Sequence, residues 1–239
     1  MLIQMLQEGW LGLVLTVLVA YLLGSLNFAI IVTRVLSKKD IRSVGSGNAG
    51  ATNVLRSQGK LPAVLTTLGD LAKSFAAVLI GGWLVISLMP TNHIALAQPM
   101  MEEWRLVGQY LAGLCCILGH LYPVYFGFRG GKGVLATLGM TLVLDWRVAL
   151  ICLGLFILVV LVSRMVSLGS VCAAALLPVM TFVFRRFVDG RGDETVWFCT
   201  GMSVLIAAIL IIKHIPNLKR IVQGTESHLS FGGRTHTES

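Results

Sequence analysis

The chain has 239 residues, of which 56% are apolar and 13% charged, and its formal net charge is +8. Ordinary soluble domains are about half apolar and about a quarter charged, so too little charge is present here to cover a water-facing surface of this size. The composition excludes an ordinary soluble domain. In so apolar a chain, the positive charge favours anionic lipid or phosphate-bearing substrates and argues against nucleic acid.

Hydrophobic runs predict an all-α integral membrane protein with seven transmembrane helices. The runs lie near residues 11–32, 62–89, 106–125, 134–144, 148–162, 166–184 and 195–212. The fourth run is short, about 16 Å of helix against a hydrocarbon core of roughly 30 Å. A single span plus a re-entrant turn across residues 130–162 therefore stays open as an alternative.

The basic residues divide unequally between the two sets of connections. One set holds thirteen: Arg34, Lys38, Lys39, Arg42, Arg56, Lys60, Arg129, Lys132, Arg164, Lys213, Lys219, Arg220 and Arg234. The other set holds five: Arg105, Arg147, Arg185, Arg186 and Arg191. The positive-inside bias places the richer set and the C-terminus in the cytoplasm and the N-terminus outside. Five spans would give the other connections the same sidedness, so charge does not decide between five and seven.

One polytopic domain is predicted over residues 1–226, followed by a polar cytoplasmic tail over 227–239. Five cysteines lie inside the apolar runs, without zinc-type spacing, and are interpreted as small hydrophobic residues. They are Cys115, Cys116, Cys152, Cys172 and Cys199. No metal site is predicted.

The first polar connection, residues 44–56, combines close glycines with short polar donors and one arginine. In chain order these are Gly45, Ser46, Gly47, Asn48, Gly50, Thr52, Asn53 and Arg56. Glycines at this spacing allow backbone N–H groups to surround an anion, and a guanidinium is suited to phosphate. A phosphate cradle is therefore predicted, with a flexible loop between helices as the alternative.

The second connection, residues 119–133, leaves a helix at His120, turns at Pro123 and ends in a lysine flanked by glycines. The last five residues are Arg129, Gly130, Gly131, Lys132 and Gly133. A lysine between glycines at a helix start is typical of a phosphate clamp. It is not a Walker A loop, because Phe126 and Gly133 occupy its first glycine and its Ser/Thr positions. His120 is interpreted as a hydrogen-bonded structural histidine.

The third segment, residues 213–226, places His214, Asn217 and Arg220 on one face if it is helical. A basic membrane-surface anchor fits this segment equally well. Ser167 belongs to a short polar break between the fifth and sixth spans. Asp70 and Lys73 form an i, i+3 pair within the second span. Such a pair is predicted to lie at the edge of the site, unless both residues sit at the wet end of the helix.

These three segments closely resemble the bacterial acyl-phosphate:glycerol-3-phosphate acyltransferases, over about residues 21–226. The resemblance implies a seven-helix inner-membrane enzyme with its motifs in cytoplasmic loops. Such an enzyme moves a fatty acyl group from acyl phosphate to the 1-hydroxyl of glycerol 3-phosphate, and it releases phosphate. Glycerol 3-phosphate, acyl phosphate and membrane lipids are the implied partners. No cofactor is implied, and the oligomeric state is left open.

The resemblance also implies roles for particular residues. His214, Asn217, Lys132 and Ser46 are predicted to be catalytic. Arg56 and a set of small residues are predicted to bind substrate phosphate: Gly45, Gly47, Asn48, Asn53, Gly130, Gly131, Gly133 and Ser167. Either His214 or the leaving phosphate would take the proton of the attacking hydroxyl. Ile215-Pro216 departs from the family pattern and puts the helix geometry of the third motif in question.

The residues also fit a transporter for a phosphorylated or anionic solute. Neither paired half-helices nor an internal repeat is visible in the sequence, which favours the acyltransferase.

Overall fold

The computed structural model describes residues 9–88 and 98–229, and within them every regular element is helical. The helices are α1 (Trp10–Gly24), α2 (Phe28–Ser37), α3 (Ala51–Gln58), α4 (Lys60–Ser87), α5 (Gln98–Leu121), α6 (Val134–Leu144), α7 (Trp146–Ser163), α8 (Val166–Val183) and α9 (Asp193–Val222). Short 3₁₀ turns cover Ile41–Ser43 and Val124–Phe126, and a π-helical turn covers Phe184–Val188. Most of the predicted tail, residues 230–239, lies outside the described part of the chain, as does Met89 at the end of the second predicted span.

Six stretches of the described chain are long and apolar enough to cross a membrane. They are Trp10–Ser37, Lys60–Ser87, Met100–Phe126, Trp146–Ser163, Val166–Val188 and Asp193–Val222. Helix α6 is also apolar but has only 11 residues. The prediction of an all-helical integral membrane protein is confirmed, and the 134–144 and 148–162 runs are two separate helices.

The first predicted span is broken, which the hydrophobic pattern did not reveal. α1 ends at Gly24, and α2 begins after Asn27, whose side chain caps it by accepting a hydrogen bond from Ile30 N at 3.2 Å. The Asn27 amide also donates to the Ala49 carbonyl at 3.4 Å. Asn27 is buried, and its hydrogen bonds to backbone groups offset the cost of placing an amide there. The break therefore ties the first span to the first polar loop.

Small residues let α1, α4 and α5 approach closely. A Cβ added at Gly24 would collide with the carbonyl of Cys116, and one added at Gly81 would collide with Ala112. In a lipid environment, helix association depends on such close backbone packing, because lipid tails are as apolar as the side chains. These three helices form the rigid support on which the polar loops rest.

Exposed tryptophans mark the end of the bundle opposite the polar loops. Trp10 and Trp146 stand at the starts of α1 and α7, Trp83 near the end of α4, and Trp197 near the start of α9. Each is between 58% and 65% exposed. Tryptophan is enriched where a bilayer meets water, so these residues indicate one membrane boundary.

The short helix α6 is fixed at its far end by charged side chains. Arg185 donates to the Leu144 carbonyl at 2.8 Å and pairs with Asp189 at 3.0 Å. Arg147 joins Asp189 at 2.8 Å and Asp145 at 2.7 Å. Because the last carbonyls of a helix lack partners within it, Arg185 satisfies one of them. The other end of α6, at Val134, follows directly on the second polar loop.

Candidate active site

The three predicted polar segments meet around one cavity of about 630 Å³. Its wall includes every predicted site residue except Gly45 and Gly131. These two glycines lie within the same loops, each next to a residue of the wall, Ser46 and Lys132 respectively. Segments far apart in the chain are thus brought to one place, as the hypothesis of a common phosphate site requires.

Asn53 shapes the first loop with its own side chain. Its amide donates to the carbonyls of Ile41 at 3.2 Å, Val44 at 2.9 Å and Asn48 at 3.1 Å, and its Oδ1 accepts from Ser46 N at 3.0 Å. The side chain is buried. It therefore holds the cradle in shape, while the exposed Ser46 and Gly47 form the cavity wall.

Gly45 shows why this loop needs glycine. Its φ is +60°, and a Cβ there would collide with Asn53 Oδ1. A side chain at position 45 would be strained and would displace the amide that organises the loop.

The second loop packs against the end of α5 and carries Lys132 into the cavity. Gly130 N donates to the Leu121 carbonyl and Gly131 N to the His120 carbonyl, both at 3.1 Å. A Cβ at Gly131 would collide with the ring of His120 and with the carbonyl of Ala49. Gly131 therefore allows the first and second loops to touch.

Arg42 links the two loops, a role that was not predicted from the sequence. Its Nη1 donates to the Phe126 carbonyl at 2.6 Å and to the Arg129 carbonyl at 3.1 Å. Asp40 holds the guanidinium through bonds from Nε at 3.0 Å and Nη2 at 2.8 Å. The hydrogen bonds from Arg42 keep the pKa of Asp40 well below its usual range. In the sequence, Arg42 is one of several basic residues of its loop, and nothing near it indicates a bond to the distant second loop.

The third segment lies on α9, which continues through Pro216 to Val222. Ile215-Pro216 therefore does not interrupt the helix geometry of the third motif. His214 and Asn217 are both buried on the face of α9 towards the cavity. His214 Nδ1 lies 2.8 Å from the Leu210 carbonyl. A carbonyl only accepts, so Nδ1 carries the proton, and Nε2 of the neutral ring is an acceptor.

Glu226 connects the third segment to the rest of the site. It accepts from Asn217 Nδ2 at 2.7 Å, from Ser167 Oγ at 2.5 Å and from Arg220 Nε at 2.8 Å. Burial alone would raise the pKa of Glu226, but these hydrogen bonds outweigh it and lower the pKa. Glu226 is the last residue of the third polar segment, and the sequence alone assigned no role to it.

Lys132 is the central cation of the cavity. Its Nζ donates to Asn217 Oδ1, which joins the second loop to α9. Burial lowers the pKa of Lys132 to about 8, and the nearby cations Arg220 and Arg56 act in the same direction. Glu226 acts against them. Glu226 thus only partly balances the positive charge around Lys132, and the cavity can attract a phosphate.

Comparison with known proteins decides the family. The family model described as "Glycerol-3-phosphate acyltransferase" matches residues 14–224. A glycerol-3-phosphate acyltransferase from Coxiella burnetii is 39% identical over 222 residues, covering 92% of this chain and 100% of that protein. One from Prochlorococcus marinus is 36% identical over 217 residues, covering 91% and 98%.

Two solved structures of PlsY (YgiH), described as an integral membrane glycerol 3-phosphate acyltransferase, share this fold. The glycerol 3-phosphate form superposes with a TM-score of 0.73 and the lysophosphatidic acid form with 0.70, each at 33% identity. They cover 91% of this chain and 96% and 95% of their own. This chain belongs to the glycerol-3-phosphate acyltransferase family. The family assignment decides against the transporter alternative.

In this acyltransferase, an apolar groove extends from the polar cavity. It lies between α6, α7 and α8 and has a volume of about 120 Å³. It shares Val134, Leu135, Phe156 and Ser170 with the polar cavity. Its other end is lined by Thr141, Ala149 and Leu177. A continuous polar-to-apolar space of this kind matches a substrate with a charged head and an alkyl tail.

Proposed function

We propose that the protein transfers a fatty acyl group from acyl phosphate to the 1-hydroxyl of glycerol 3-phosphate. The products are 1-acyl-sn-glycerol 3-phosphate and inorganic phosphate, and the reaction begins phospholipid synthesis. The observation that carries the proposal is the junction of a cationic, glycine-walled cavity with an apolar groove. The phosphates of both substrates occupy the cavity, and the acyl tail occupies the groove.

The residues act mainly by positioning and by stabilising charge. Lys132 and Arg56 bind phosphate oxygens as cations, and the backbone N–H groups of the two glycine-rich loops supply further donors. Ser46 lies at the cavity wall, where its hydroxyl donates to the same anions. Asn48, Asn53, Gly45, Gly47, Gly130, Gly131 and Gly133 shape the loops, and Ser167 and Glu226 hold Asn217 in place.

The acyl phosphate already contains the activation that the reaction needs. The hydroxyl oxygen forms a bond to the carbonyl carbon, and the bond from that carbon to the phosphate oxygen breaks. The phosphate leaves with the electron pair, and the loop donors stabilise the charge on the carbonyl oxygen. His214 Nε2 accepts the hydrogen bond of the attacking hydroxyl and orients it. His214 or the leaving phosphate receives the proton.

Arg56 is available to a substrate at a small cost. Its Nη2 donates to the Ser227 carbonyl at 3.2 Å in an exposed contact. An exposed bond from a guanidinium to a neutral carbonyl is weaker than a bond from the same guanidinium to an anionic phosphate oxygen. Arg56 is therefore expected to exchange Ser227 for substrate.

We further propose seven crossings of a bacterial inner membrane, with the N-terminus outside and residues 1–226 as one domain. The three motifs lie at the end of the bundle opposite the tryptophans, and the richer set of basic residues lies with them. Single cysteines at Lys39 and Arg191, in a variant without the native cysteines, test this topology. An impermeant maleimide applied to intact cells should label position 191 and spare position 39. Labelling of position 39 instead would reverse the orientation.

The activity is tested with the purified protein in lipid. It receives glycerol 3-phosphate with either palmitoyl phosphate or palmitoyl-CoA, and phosphate release and lysophosphatidic acid are measured. Product is expected only with palmitoyl phosphate. Lys132→Met should remove activity while the protein stays folded, and Lys39→Met is the matched control on an exposed lysine. A folded wild-type protein that makes no product from either donor would refute the proposed function.

A further inference from the structure

A buried group of three ionisable side chains lies beneath the point where the two glycine-rich loops meet. Asp70 and Lys73 belong to α4 and His120 to the end of α5, and they are 1%, 5% and 3% exposed. Lys73 Nζ lies 2.7 Å from Asp70 Oδ1, 2.9 Å from His120 Nδ1 and 2.8 Å from the Leu26 carbonyl. Both residues of the predicted i, i+3 pair are therefore buried, and neither sits at the wet end of the helix.

The contacts around Lys73 fix the tautomer of His120. The Asp70 carboxylate balances the charge of the Lys73 ammonium, so the pair is neutral as a whole. An ammonium offers three donors and no acceptor. His120 Nδ1 lies 2.9 Å from this ammonium and farther, 3.5 Å, from the acceptor Asp70 Oδ1. Because the ammonium is the nearer partner, Nδ1 accepts a hydrogen bond from it, and the proton of the neutral ring sits on Nε2.

The Nε2 side of the ring faces the substrate cavity. A Cβ added at Gly131 would collide with His120 Nε2 and with the Ala49 carbonyl, which places Nε2 where the two loops touch. His120 and Asp70 both belong to the cavity wall. Among residues 9–88 and 98–229, the hydrogen bonds and ion pairs of the ring all run to Nδ1. Nε2–H is therefore available to donate to a ligand in the cavity, whose wall His120 forms in part.

We propose that His120 binds substrate directly, donating Nε2–H to a phosphate oxygen at the junction of the two loops. Lys73 and Asp70 are positioning residues, because they hold the ring in the tautomer that donates. This assignment rests on the proposed function and replaces the interpretation of His120 as a purely structural histidine. His120 and His214 then have opposite tautomers in one cavity, so that His120 donates to phosphate while His214 accepts from the hydroxyl.

Two substitutions separate a ligand-binding ring from a structural one. In His120→Asn, the amide occupies the place of Nδ1, so an acceptor for Lys73 remains and the donor at Nε2 is lost. In His120→Gln, the amide reaches the place of Nε2, so a donor to the cavity remains. If Nε2–H binds phosphate, His120→Asn should raise the KM of a phosphate substrate by about 10- to 100-fold, the effect of losing one hydrogen bond to a charged group. His120→Gln should have a KM at least about fivefold lower than that of His120→Asn.

The KM values for glycerol 3-phosphate and for palmitoyl phosphate are measured separately, each with the other substrate saturating. The substrate whose KM rises identifies the phosphate that His120 contacts. His228→Asn is the control, because His228 is exposed and lies outside the cavity wall. An equal KM for the Asn and Gln variants, or a lower KM for Asn, would overturn the assignment. If wild-type protein is active, such a result rejects the role of His120 and leaves the proposed function standing.

The tautomer is checked in the wild-type protein, which avoids any folding defect of a variant. Solid-state NMR of the full chain in lipid, with ¹⁵N-labelled histidine and assignment by comparison with His120→Gln, reports which ring nitrogen carries the proton. Nε2 should be protonated, and its resonance should move on addition of glycerol 3-phosphate or of a non-hydrolysable acyl phosphonate. A proton on Nδ1, or an Nε2 resonance that neither ligand moves, would contradict the proposal.

Discussion

Replacement of Arg42 by alanine should impair catalysis although Arg42 lies outside the cavity wall. The change removes the hydrogen bonds to the carbonyls of Phe126 and Arg129, at 2.6 Å and 3.1 Å. The first is partly buried and comes from a charged donor, so it contributes about 1.5–2 kcal/mol, and the exposed second bond contributes about 0.5–1 kcal/mol. Together they supply about 2–3 kcal/mol towards ordering the loop that carries Lys132.

If that order is needed in the transition state, kcat/KM should fall by up to roughly 30- to 140-fold, because 1.4 kcal/mol corresponds to tenfold. Arg42→Lys should show an intermediate loss, since a single ammonium cannot reproduce the fork that holds Asp40 and two carbonyls. Arg34→Ala is the matched control. Arg34 also pairs with Asp40 at 2.8 Å and lies over the Phe126 ring, 5.4 Å from its centroid, but it is 48% exposed, and such surface contacts contribute little.

Phosphate release at varied glycerol 3-phosphate and palmitoyl phosphate gives kcat/KM for each variant in lipid. Size-exclusion chromatography and thermal unfolding establish that each variant is folded. The reasoning is refuted if folded Arg42→Ala retains the same kcat/KM as Arg34→Ala.

Three further changes have expected outcomes. The ammonium of Lys132 is lost as pH rises through its pKa of about 8, so kcat/KM of the wild type should decline above about pH 8. Lys132→Arg, if active, should lack this decline, because arginine stays charged. The same decline in Lys132→Arg as in the wild type would contradict the assignment. Asn53→Asp keeps a similar shape but replaces the amide that donates to three carbonyls, at a cost of about 2–4 kcal/mol. This variant should therefore have a lower thermal stability and a higher KM for glycerol 3-phosphate. A stability equal to that of wild type would show that the loop does not depend on these bonds. Ala149→Phe should fill the far end of the apolar groove and reduce turnover of palmitoyl phosphate more than that of lauroyl phosphate. Leu150→Phe, at the exposed neighbouring residue, is the control. Equal effects of Ala149→Phe on both chain lengths would place the acyl tail elsewhere.

The sequence by itself determined the membrane character of the protein and the chemistry of its loops. A helix that contacts lipid along its length must be apolar, so the hydrophobic runs located the helices, including the short one at 134–144. The phosphate motifs were readable for a related reason. Glycines around a lysine or an arginine are local features: residues that are close in the sequence are also close in the cavity.

Only the tertiary structure decided how these parts support one another. The break at Asn27, the link from Arg42 to the second loop and the bonds of Glu226 join residues separated by 22, 84 and 59 positions. The tautomer of His120 depends on Lys73, 47 residues earlier on another helix. A single sequence shows which side chains can donate or accept, but which partner each one meets is set by the packing of the helices, among them α1, α4 and α5. That packing depends on small residues such as Gly24 and Gly81, whose contacts form only when the helices come together.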